Sequence, residues 1–464
     1  MKRFLGIMAS ACAALACAGA AAALPIVGAA EDRTKYADDG GTALFNAMKG
    51  LGLSSNRISV YWNYQQPTTI QEESFLSHVV DGSQRAGFQL VFAIYADPRI
   101  PGGVTAVGQN PDAFCNYAAL IAATYPSVTK IIVGNEPNQK RFWQPQPHSG
   151  TAFEPVQAKC YDALKAVNPK IDVIGVGLSP RGNDQPTQVN NASSSPVRFI
   201  YDLATAYRLS GRTKPLFDEF AFHCYPNVNT DPVSKGYQWP NIGCVNLDRL
   251  KQALWDGFNG TGQPTPPEGG FGSGSTLVID ETGWQANVTG KAGYSGAENV
   301  PTINDPTQAG YYAQLVGMAA CDPSITAFHF LYFLDSANLA DFQSGMMLVD
   351  GSPRTSSAAI KSAIGSGCPR GATNWRHSTT VAGAKAKKGV SPSGRPAVVV
   401  NATEDFSYSI IATKKGKSAT VKGSGKAFSE LDAVIPPGFK GGTAKVTLKA
   451  WANPGRTSTL TVAT

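Results

Sequence analysis

Two glutamates stand directly after apolar, β-branched stretches of the sequence. Glu136 follows the run at residues 131–133 in the segment IIVGNEPN, and Glu281 ends the run STLVIDE at the start of ETGW. A carboxyl group placed where a buried strand ends can project into a cleft, and two such groups in different protonation states can act as proton donor and nucleophile. Glu136 and Glu281 are therefore the candidate catalytic residues.

Cleavage of a glycosidic bond is the reaction that such a pair suits best. One carboxyl group donates a proton to the leaving oxygen, while the other attacks the anomeric carbon when the two lie about 5 to 5.5 Å apart. We predict that Glu136 is the acid/base and Glu281 the nucleophile. Each motif has a simpler explanation when taken alone, since NEP is a common turn sequence, so the prediction depends on the two motifs occurring together.

Eight apolar runs recur along residues 24–368, with helical patterns between them. They are LPIVGAA, RISVYW, FQLVFAIY, TKIIVG, IDVIGVG, FDEFAFHCY, STLVIDE and ITAFHFLYFL. Eight strands alternating with helices predict an α/β fold in which a parallel sheet closes into a (β/α)8 TIM barrel. The active site of such a barrel lies at the C-terminal ends of its strands. Glu136 after strand four and Glu281 at strand seven would then face each other across the mouth.

Further candidate substrate-binding residues stand at the same strand ends. They are Arg57, Tyr95, Asn135, His223, Tyr225, Tyr332, Trp143 and Trp284. Sugar faces stack on aromatic rings, so Trp284 and then Trp143 are the preferred platforms, although either could pack in the core. His223 could also be a core histidine, and His329 and Asp218 are interpreted as structural.

Three motifs in this order resemble a known group of enzymes. GNEPN after strand four, HCY after strand six and IDETGW at strand seven are similar to motifs of the clan A glycoside hydrolases, which are retaining enzymes on (β/α)8 barrels. In these motifs the sequence is most similar to families 5 and 39, and ETGW also resembles the β-1,3-glucanases of family 17. The resemblance covers most of residues 24–368 and none of the remaining tail.

The resemblance implies roles for the residues that match these motifs. Asn135 would bind the sugar hydroxyl beside the anomeric carbon, and Arg57 would support the nucleophile from below. His223 and Tyr225 would form hydrogen bonds at the reacting sugar and at Glu281. Many relatives stack the sugar on a strand-eight tryptophan, whereas HFLYFLD offers Tyr332 or Phe333 here.

The chain of 464 residues divides into regions of opposite charge. Residues 24–368 hold 23 Lys and Arg against 29 Asp and Glu, whereas residues 369–464 hold 15 against 4. We expect a polar linker at 369–390 and a small antiparallel, sandwich-like β domain at 391–464. Its basic surface either serves solubility or binds an anionic cell-wall glycan, and it contains no nucleic-acid motif.

The N-terminal 23 residues have the pattern of a secretory signal peptide. Lys2 and Arg3 precede an apolar, alanine-rich stretch that ends in small residues. An uncleaved anchor and a lipidated Cys17 are the alternatives. Beyond this segment no run is long and apolar enough to span a bilayer. A mature secreted chain would hold six cysteines, for which we expect sequential pairing: Cys115 with Cys160, Cys224 with Cys244, and Cys321 with Cys368.

The sequence therefore predicts a secreted, monomeric, retaining β-glycoside hydrolase acting on an extracellular or cell-wall polysaccharide. No metal-binding spacing occurs among the histidines and cysteines, and no cofactor is expected. A carbohydrate-binding barrel that no longer turns over is the alternative. The presence of Glu136, Asn135, Glu281 and Tyr225 together argues against that alternative, because a lapsed enzyme would be expected to lose at least one of them.

Overall fold

The computed structural model describes residues 24–185, 187, 192–270, 274–368 and 370–464. The expected signal peptide at residues 1–23 lies outside the described residues. Within the described ranges the chain forms a closed barrel followed by two antiparallel sheets. No helix in these ranges is long and apolar enough to cross a membrane.

The barrel consists of parallel strands hydrogen-bonded in the order β1 to β8, with β8 returning to β1. The predicted (β/α)8 fold with a small C-terminal β domain is confirmed. The strands are β1 Ile26–Ala30, β2 Ser55–Trp62, β3 Gln89–Ala96, β4 Lys130–Val133, β5 Asp172–Leu178, β6 Glu219–His223, β7 Thr276–Glu281 and β8 Ile325–Leu331. All eight apolar runs of the sequence correspond to these strands.

Helices connect the strands and form the outer layer. They are α1 Arg33–Tyr36, α2 Thr42–Gly50, α3 Glu73–Ala86, α4 Gly103–Gln109, α5 Pro111–Thr124, α6 Ser149–Val167, α7 Pro196–Ser210, α8 Leu247–Phe258, α9 Asp305–Cys321 and α10 Thr355–Ser366. At the start of α5 the side chain of Asn110 accepts a hydrogen bond from the Ala113 N–H, and Pro111 occupies the first turn, where no N–H is needed.

Alternation along the strands decides which side chains enter the barrel. Small and branched residues fill its interior: Val91, Ala93, Ile132, Ile174, Ala221, Val278 and Ala327. Arg57 lies in register with Val91, and Tyr61 lies in register with Tyr95. Side chains repeat their direction every second residue, so Arg57, Ser59 and Tyr61 also point inward. Trp62 points outward and packs against Phe114 of α5.

Three disulfides connect neighbouring elements, as the sequence predicted. Cys115 on α5 is bonded to Cys160 on α6, and Cys224 after β6 is bonded to Cys244 in the following loop. Cys321 at the end of α9 is bonded to Cys368 after α10. The sequential pairing is confirmed, and each bridge restrains either the helical layer or a loop at the barrel mouth.

The C-terminal domain contains two antiparallel sheets that enclose an apolar core around Val398, Phe406, Ile410 and Val446. Its strands are β9 Lys385–Val390, β10 Pro396–Asn401, β11 Phe406–Lys414, β12 Lys417–Gly425, β13 Leu431–Val434, β14 Thr443–Ala450 and β15 Thr457–Ala463. One sheet has the order β13-β10-β9 and the other β12-β11-β14-β15.

The first strand of the C-terminal sheets, β9, begins before residue 391. Residues 385–390 lie in the range expected to be a linker, yet they form β9 and pair with β10 along its length. Their sequence, KAKKGV, lacks the apolar alternation that marks a strand because β9 is an edge strand whose lysines stay in solvent. Val381 also belongs to the core of this domain.

Candidate active site

Glu136 is positioned by a turn that forces the chain sharply away from β4. Gly134 has φ 97°, and a β-carbon there would lie 2.9 Å from the Phe153 ring, so a larger residue does not fit. Glu136 itself has φ 41°, in the left-handed region, and its N–H donates to the Gly177 carbonyl at 2.8 Å. Such a conformation in a non-glycine residue costs about 1–3 kcal/mol and is often found at functional sites.

His223 links the loop after β4 to the end of β7. Its Nδ1 lies 2.9 Å from Glu136 Oε1, and its Nε2 lies 3.2 Å from Asp280 Oδ2. His223 and Asp280 are completely buried. The imidazole therefore stands between two carboxyl groups, one at the cavity surface and one in the barrel interior.

The charges around His223 favour its protonated form. Burial alone would lower the pKa of His223, but Asp280 and Glu281 outweigh that effect and raise the pKa well above its usual value. Burial likewise opposes ionisation of Asp280, and the positive charges of His223 and Arg57 overcome it and lower the Asp280 pKa. Asp280 is thus a carboxylate and His223 an imidazolium that donates through both nitrogens.

Glu281 is held by two donors, one on β2 and one in the loop after β6. Arg57 Nη1 lies 3.1 Å from Glu281 Oε1, and the Tyr225 hydroxyl donates to Glu281 Oε2 at 2.8 Å. Burial and the charge of Glu281 raise the pKa of Tyr225 well above its usual value, so the phenol keeps its proton. Arg57 also donates to Asn135 Oδ1 at 2.6 Å, which orients that amide beside the two glutamates.

The two candidate catalytic carboxyl groups approach each other around a single atom. His223 Nδ1 lies 2.9 Å from Glu136 Oε1 and 3.5 Å from Glu281 Oε2. The separation of those two oxygens cannot exceed the sum of these distances. Both groups are partly open to solvent, with side chains 18% and 14% exposed, so a substrate can reach them.

A cavity of about 620 Å³ opens above this cluster at the C-terminal end of the barrel. Residues predicted from the sequence that line it are Arg57, Tyr95, Asn135, Glu136, Tyr225, Glu281 and Tyr332. Beneath them, His223 is buried against both glutamates. These eight side chains, which lie on β2, β3, β6 and β7 or directly after β4, β6 and β8, are therefore brought together as expected.

The two tryptophans expected to stack against sugar are placed elsewhere. Trp143 is 2% exposed and packs edge-on against Phe153, and Trp284 is 1% exposed with its Nε1–H donating to the Asp231 carbonyl at 2.8 Å. Neither lines the cavity, so their expected role as platforms is wrong. Both rings are buried against neighbouring segments, and burying a large ring stabilises the loop that carries it.

Other aromatic residues form the walls of the cavity instead. Tyr61 lies edge-on to Tyr95 with ring centroids 5.3 Å apart, and Phe142 also contacts Tyr95. Phe342 is 38% exposed and lies 6.0 Å from the Tyr225 ring. Sequence analysis missed Tyr61 and Phe342. Strand alternation from Arg57 could have found Tyr61, whereas Phe342 lies in an irregular loop with no such signal.

Asp280 is a further residue that sequence analysis overlooked. It stands within the quoted motif IDETGW, two residues after the inward-facing Val278, so the period of two would have placed its side chain inside the barrel. His329, which was interpreted as structural, is fully buried and lies 3.0 Å from Ser55 Oγ, and burial lowers its pKa to about 4.

The chain is similar in fold to solved glycoside hydrolase structures. A family 39 glycoside hydrolase from the gut symbiont Bacteroides cellulosilyticus matches with a TM-score of 0.51 and 15% identity, covering 89% of this chain and 81% of that one. GH5_18 from Streptomyces cattleya, in complex with Manβ1-4GlcNAc, matches with a TM-score of 0.50 and 14% identity, covering 77% and 84%. No protein-family model and no curated protein matches the sequence. At these identities the likeness concerns the fold.

Proposed function

We propose that the protein is a secreted, retaining β-glycoside hydrolase that cleaves an extracellular or cell-wall polysaccharide with Glu136 and Glu281. The observation that carries the proposal is the arrangement of these two glutamates at the C-terminal ends of β4 and β7. Both contact His223 and both line an open cavity. Secretion is inferred from the N-terminal segment and is compatible with the three disulfides.

In the first step Glu281 is the nucleophile. One of its carboxylate oxygens bonds to the anomeric carbon while the bond from that carbon to the leaving oxygen breaks. Glu136 delivers its proton to the leaving oxygen, so the released sugar departs as a neutral alcohol. Arg57 and Tyr225, which bind the two oxygens of Glu281, orient the carboxylate for attack and limit its rotation.

In the second step water completes the hydrolysis. Glu136, now ionised, removes a proton from a water molecule whose oxygen attacks the anomeric carbon. The ester bond to Glu281 breaks, and Glu281 regains its charge beside the Arg57 guanidinium. The carboxylate of Asp280 keeps His223 protonated, so the Nδ1–H remains available to hold Glu136 in place in this ionised state.

The spacing of the glutamates supports retention of configuration. Inverting enzymes separate their carboxyl groups by about 6.5–9.5 Å to admit a water molecule, whereas retaining enzymes hold them about 5–5.5 Å apart. One oxygen of Glu136 and one oxygen of Glu281 lie near the same nitrogen, His223 Nδ1, which favours the shorter separation of a retaining enzyme.

Two variants test the assigned roles. Glu136→Gln removes the proton donor, so it should lower kcat/KM by about 10²–10⁴-fold on glycosides with poor leaving groups. Dinitrophenyl glycosides, whose leaving group needs no proton, should still form the glycosyl intermediate. Glu281→Gln removes the nucleophile and should abolish turnover of both substrate types. Initial rates on both types, together with nuclear magnetic resonance of the first-formed anomer, provide the measurement.

Glu430→Gln is the matched control, because Glu430 is an exposed carboxylate in the C-terminal domain. Its rates should equal those of the wild-type chain, and all three variants should keep the wild-type melting temperature within a few degrees. Hydrolysis that survives Glu281→Gln would refute the nucleophile. Glycan binding without hydrolysis by the wild-type chain, on poly- and oligosaccharides as well as aryl glycosides, would favour the carbohydrate-binding barrel.

A further inference from the structure

The outer face of the four-stranded sheet has an unusual composition. Buried residues such as Ile410, Val446 and Leu448 point into the domain core, so the alternate positions of β11, β12, β14 and β15 point outward. We call these positions the hydroxyl face; they are Ser407, Ser409, Ile411, Thr413, Ser418, Thr420, Lys422, Ser424, Thr443, Lys445, Thr447, Lys449, Thr457, Thr459, Thr461 and Ala463. Serine and threonine fill most of them.

Three exposed lysines supply all the charge on the hydroxyl face. Lys422 lies in register with Ser409, Lys445 with Ile411, and Lys449 with Ser407. None of these lysines forms an ion pair with any residue that the structure describes. Lys445 and Lys449 are four residues apart on β14, which separates their α-carbons by about 13 Å.

The acidic residues of this domain lie away from the hydroxyl face. Glu404 pairs with Arg456, and Asp405 pairs with Arg198 of the barrel, so both lie at the junction with the barrel. Glu430 pairs with Lys387 of the other sheet, and Asp432 belongs to β13 of that sheet. The strands β11, β12, β14 and β15 contain no aspartate or glutamate. The positive potential of the face is therefore not offset locally.

We propose that the hydroxyl face binds a carboxylated polysaccharide. Lysines about 13 Å apart can each meet a different carboxylate of one extended chain, which a small anion cannot do. Between them, the hydroxyls of Ser409, Thr447 and Thr459 can bond to sugar hydroxyls. The face has no aromatic ring on which a nucleobase could stack, and Ile411 is its only large apolar side chain, which is too little for membrane insertion.

The test is retention of the full chain on polygalacturonate gel, with unsubstituted agarose and double-stranded DNA gel alongside. The wild-type chain should be retained on polygalacturonate at low salt, elute near or above about 150 mM salt, and pass through agarose. The variant Lys422→Gln/Lys445→Gln/Lys449→Gln should flow through all three gels. Thermal unfolding would confirm that the variant is folded.

A control variant removes the same charge from the other sheet. Lys385, Lys387 and Lys388 lie on β9, where Glu430 and Asp432 are close in the fold, so Lys385→Gln/Lys387→Gln/Lys388→Gln should keep wild-type retention. Equal losses in the two triple variants would show that net charge alone governs binding and would overturn the proposal. Absence of wild-type retention, or equal retention on DNA, would overturn it as well. Hydrolytic activity enters none of these outcomes, so this proposal and the proposed catalysis can fail separately.

Discussion

The His223 imidazole contacts one carboxyl group in the barrel interior and one at the cavity surface. It lies between Asp280, which is buried in the barrel, and Glu136, which lines the cavity. Asp280 does not line the cavity, so it is a positioning residue that acts on the chemistry through the two cations it faces, His223 and the Arg57 guanidinium at 3.8 Å. Removing the charge of Asp280 should therefore change how activity depends on pH.

Asp280→Asn should make activity pH-dependent near neutrality. Asp280 is the largest of the charges that raise the pKa of His223, so the variant should lower that pKa towards the ordinary range of histidine. His223 then loses its proton as the pH rises, and kcat/KM should fall between about pH 6 and 8, where the wild-type profile is flatter. Profiles of kcat/KM against pH for both proteins provide the test.

Ser55→Ala is a suitable control, because it alters the neighbouring buried pair with His329 without touching His223. Its profile should match that of the wild-type chain. If Asp280→Asn lowers activity equally at every pH, the loss does not come from the protonation of His223 and the argument is wrong.

The same shifts predict the pH range in which this pair stabilises the fold. The pKa of Asp280 is lowered on folding, so its contribution is present above about pH 3.9 and is lost as the pH falls through the folded value. The pKa of His223 is raised, so its contribution is full below about pH 6.5 and is lost as the pH rises through the higher folded value. The stabilisation by the pair is therefore greatest in the mildly acidic range.

The loop after β6 connects the active site to a disulfide. Cys224 directly precedes Tyr225, and its bond to Cys244 closes the loop that covers this side of the cavity. Buried Thr282 donates to the Cys224 carbonyl at 2.9 Å, which ties the same loop to the end of β7. The position of the Tyr225 hydroxyl on Glu281 therefore depends on how this loop is held.

Replacing both Cys224 and Cys244 with serine should lower stability and activity together. The free energy of unfolding should fall by about 2–4 kcal/mol, and kcat should fall because Tyr225 no longer holds Glu281 in one orientation. Denaturant unfolding and initial rates would measure the two effects. The Cys115→Ser/Cys160→Ser variant is the matched comparison, since that bridge joins outer helices. It should lose similar stability while kcat is unchanged, and an equal fall in kcat would refute the local role of the Cys224 bridge.

The barrel and the C-terminal domain are joined by buried charge. Arg456 of the C-terminal domain lies 2.8 Å from Asp256 of α8 and also binds Glu404. All three side chains are at most 6% exposed. Beside them the Arg198 guanidinium lies 4.5 Å from the Trp451 ring and 3.0 Å from Asp405. The two domains therefore share a polar, well-paired interface.

Arg456→Met should destabilise this junction strongly. It leaves Asp256 and Glu404 buried without their cation, and breaking a buried pair typically costs about 3–5 kcal/mol. Burial already raises the pKa of both carboxyl groups, and the variant should raise the pKa values further. The folded variant then binds protons more tightly than the unfolded chain, so its deficit should shrink as the pH falls from 7 to about 5.

Thermal unfolding of Arg456→Met at several pH values would measure this effect. Lys387→Met breaks the exposed pair with Glu430, whose side chains are 63% and 55% exposed, and should cost no more than about 1 kcal/mol. A deficit of Arg456→Met that does not vary with pH would show that the loss comes from packing alone.

The sequence by itself determined the eight strands and the elements on which Glu136 and Glu281 stand. Each of these follows from a local pattern. An apolar run that ends in polar residues marks the end of a strand, and the barrel then places all such ends on one face. Alternation along β2 and β7 also assigns Tyr61 and Asp280 to the barrel interior.

Only the tertiary structure decided which side chains reach the substrate cavity from the loops. His223 meets Glu136 across a separation of 87 residues, and this contact depends on the relative placement of β4, β6 and β7. Trp143 and Trp284 are buried while Phe342 is exposed, because the packing of irregular loops has no periodic signature in the sequence. The face of the sheet to which a strand side chain points is a local property of the backbone. The burial of a loop side chain is set instead by the distant segments that fold against it.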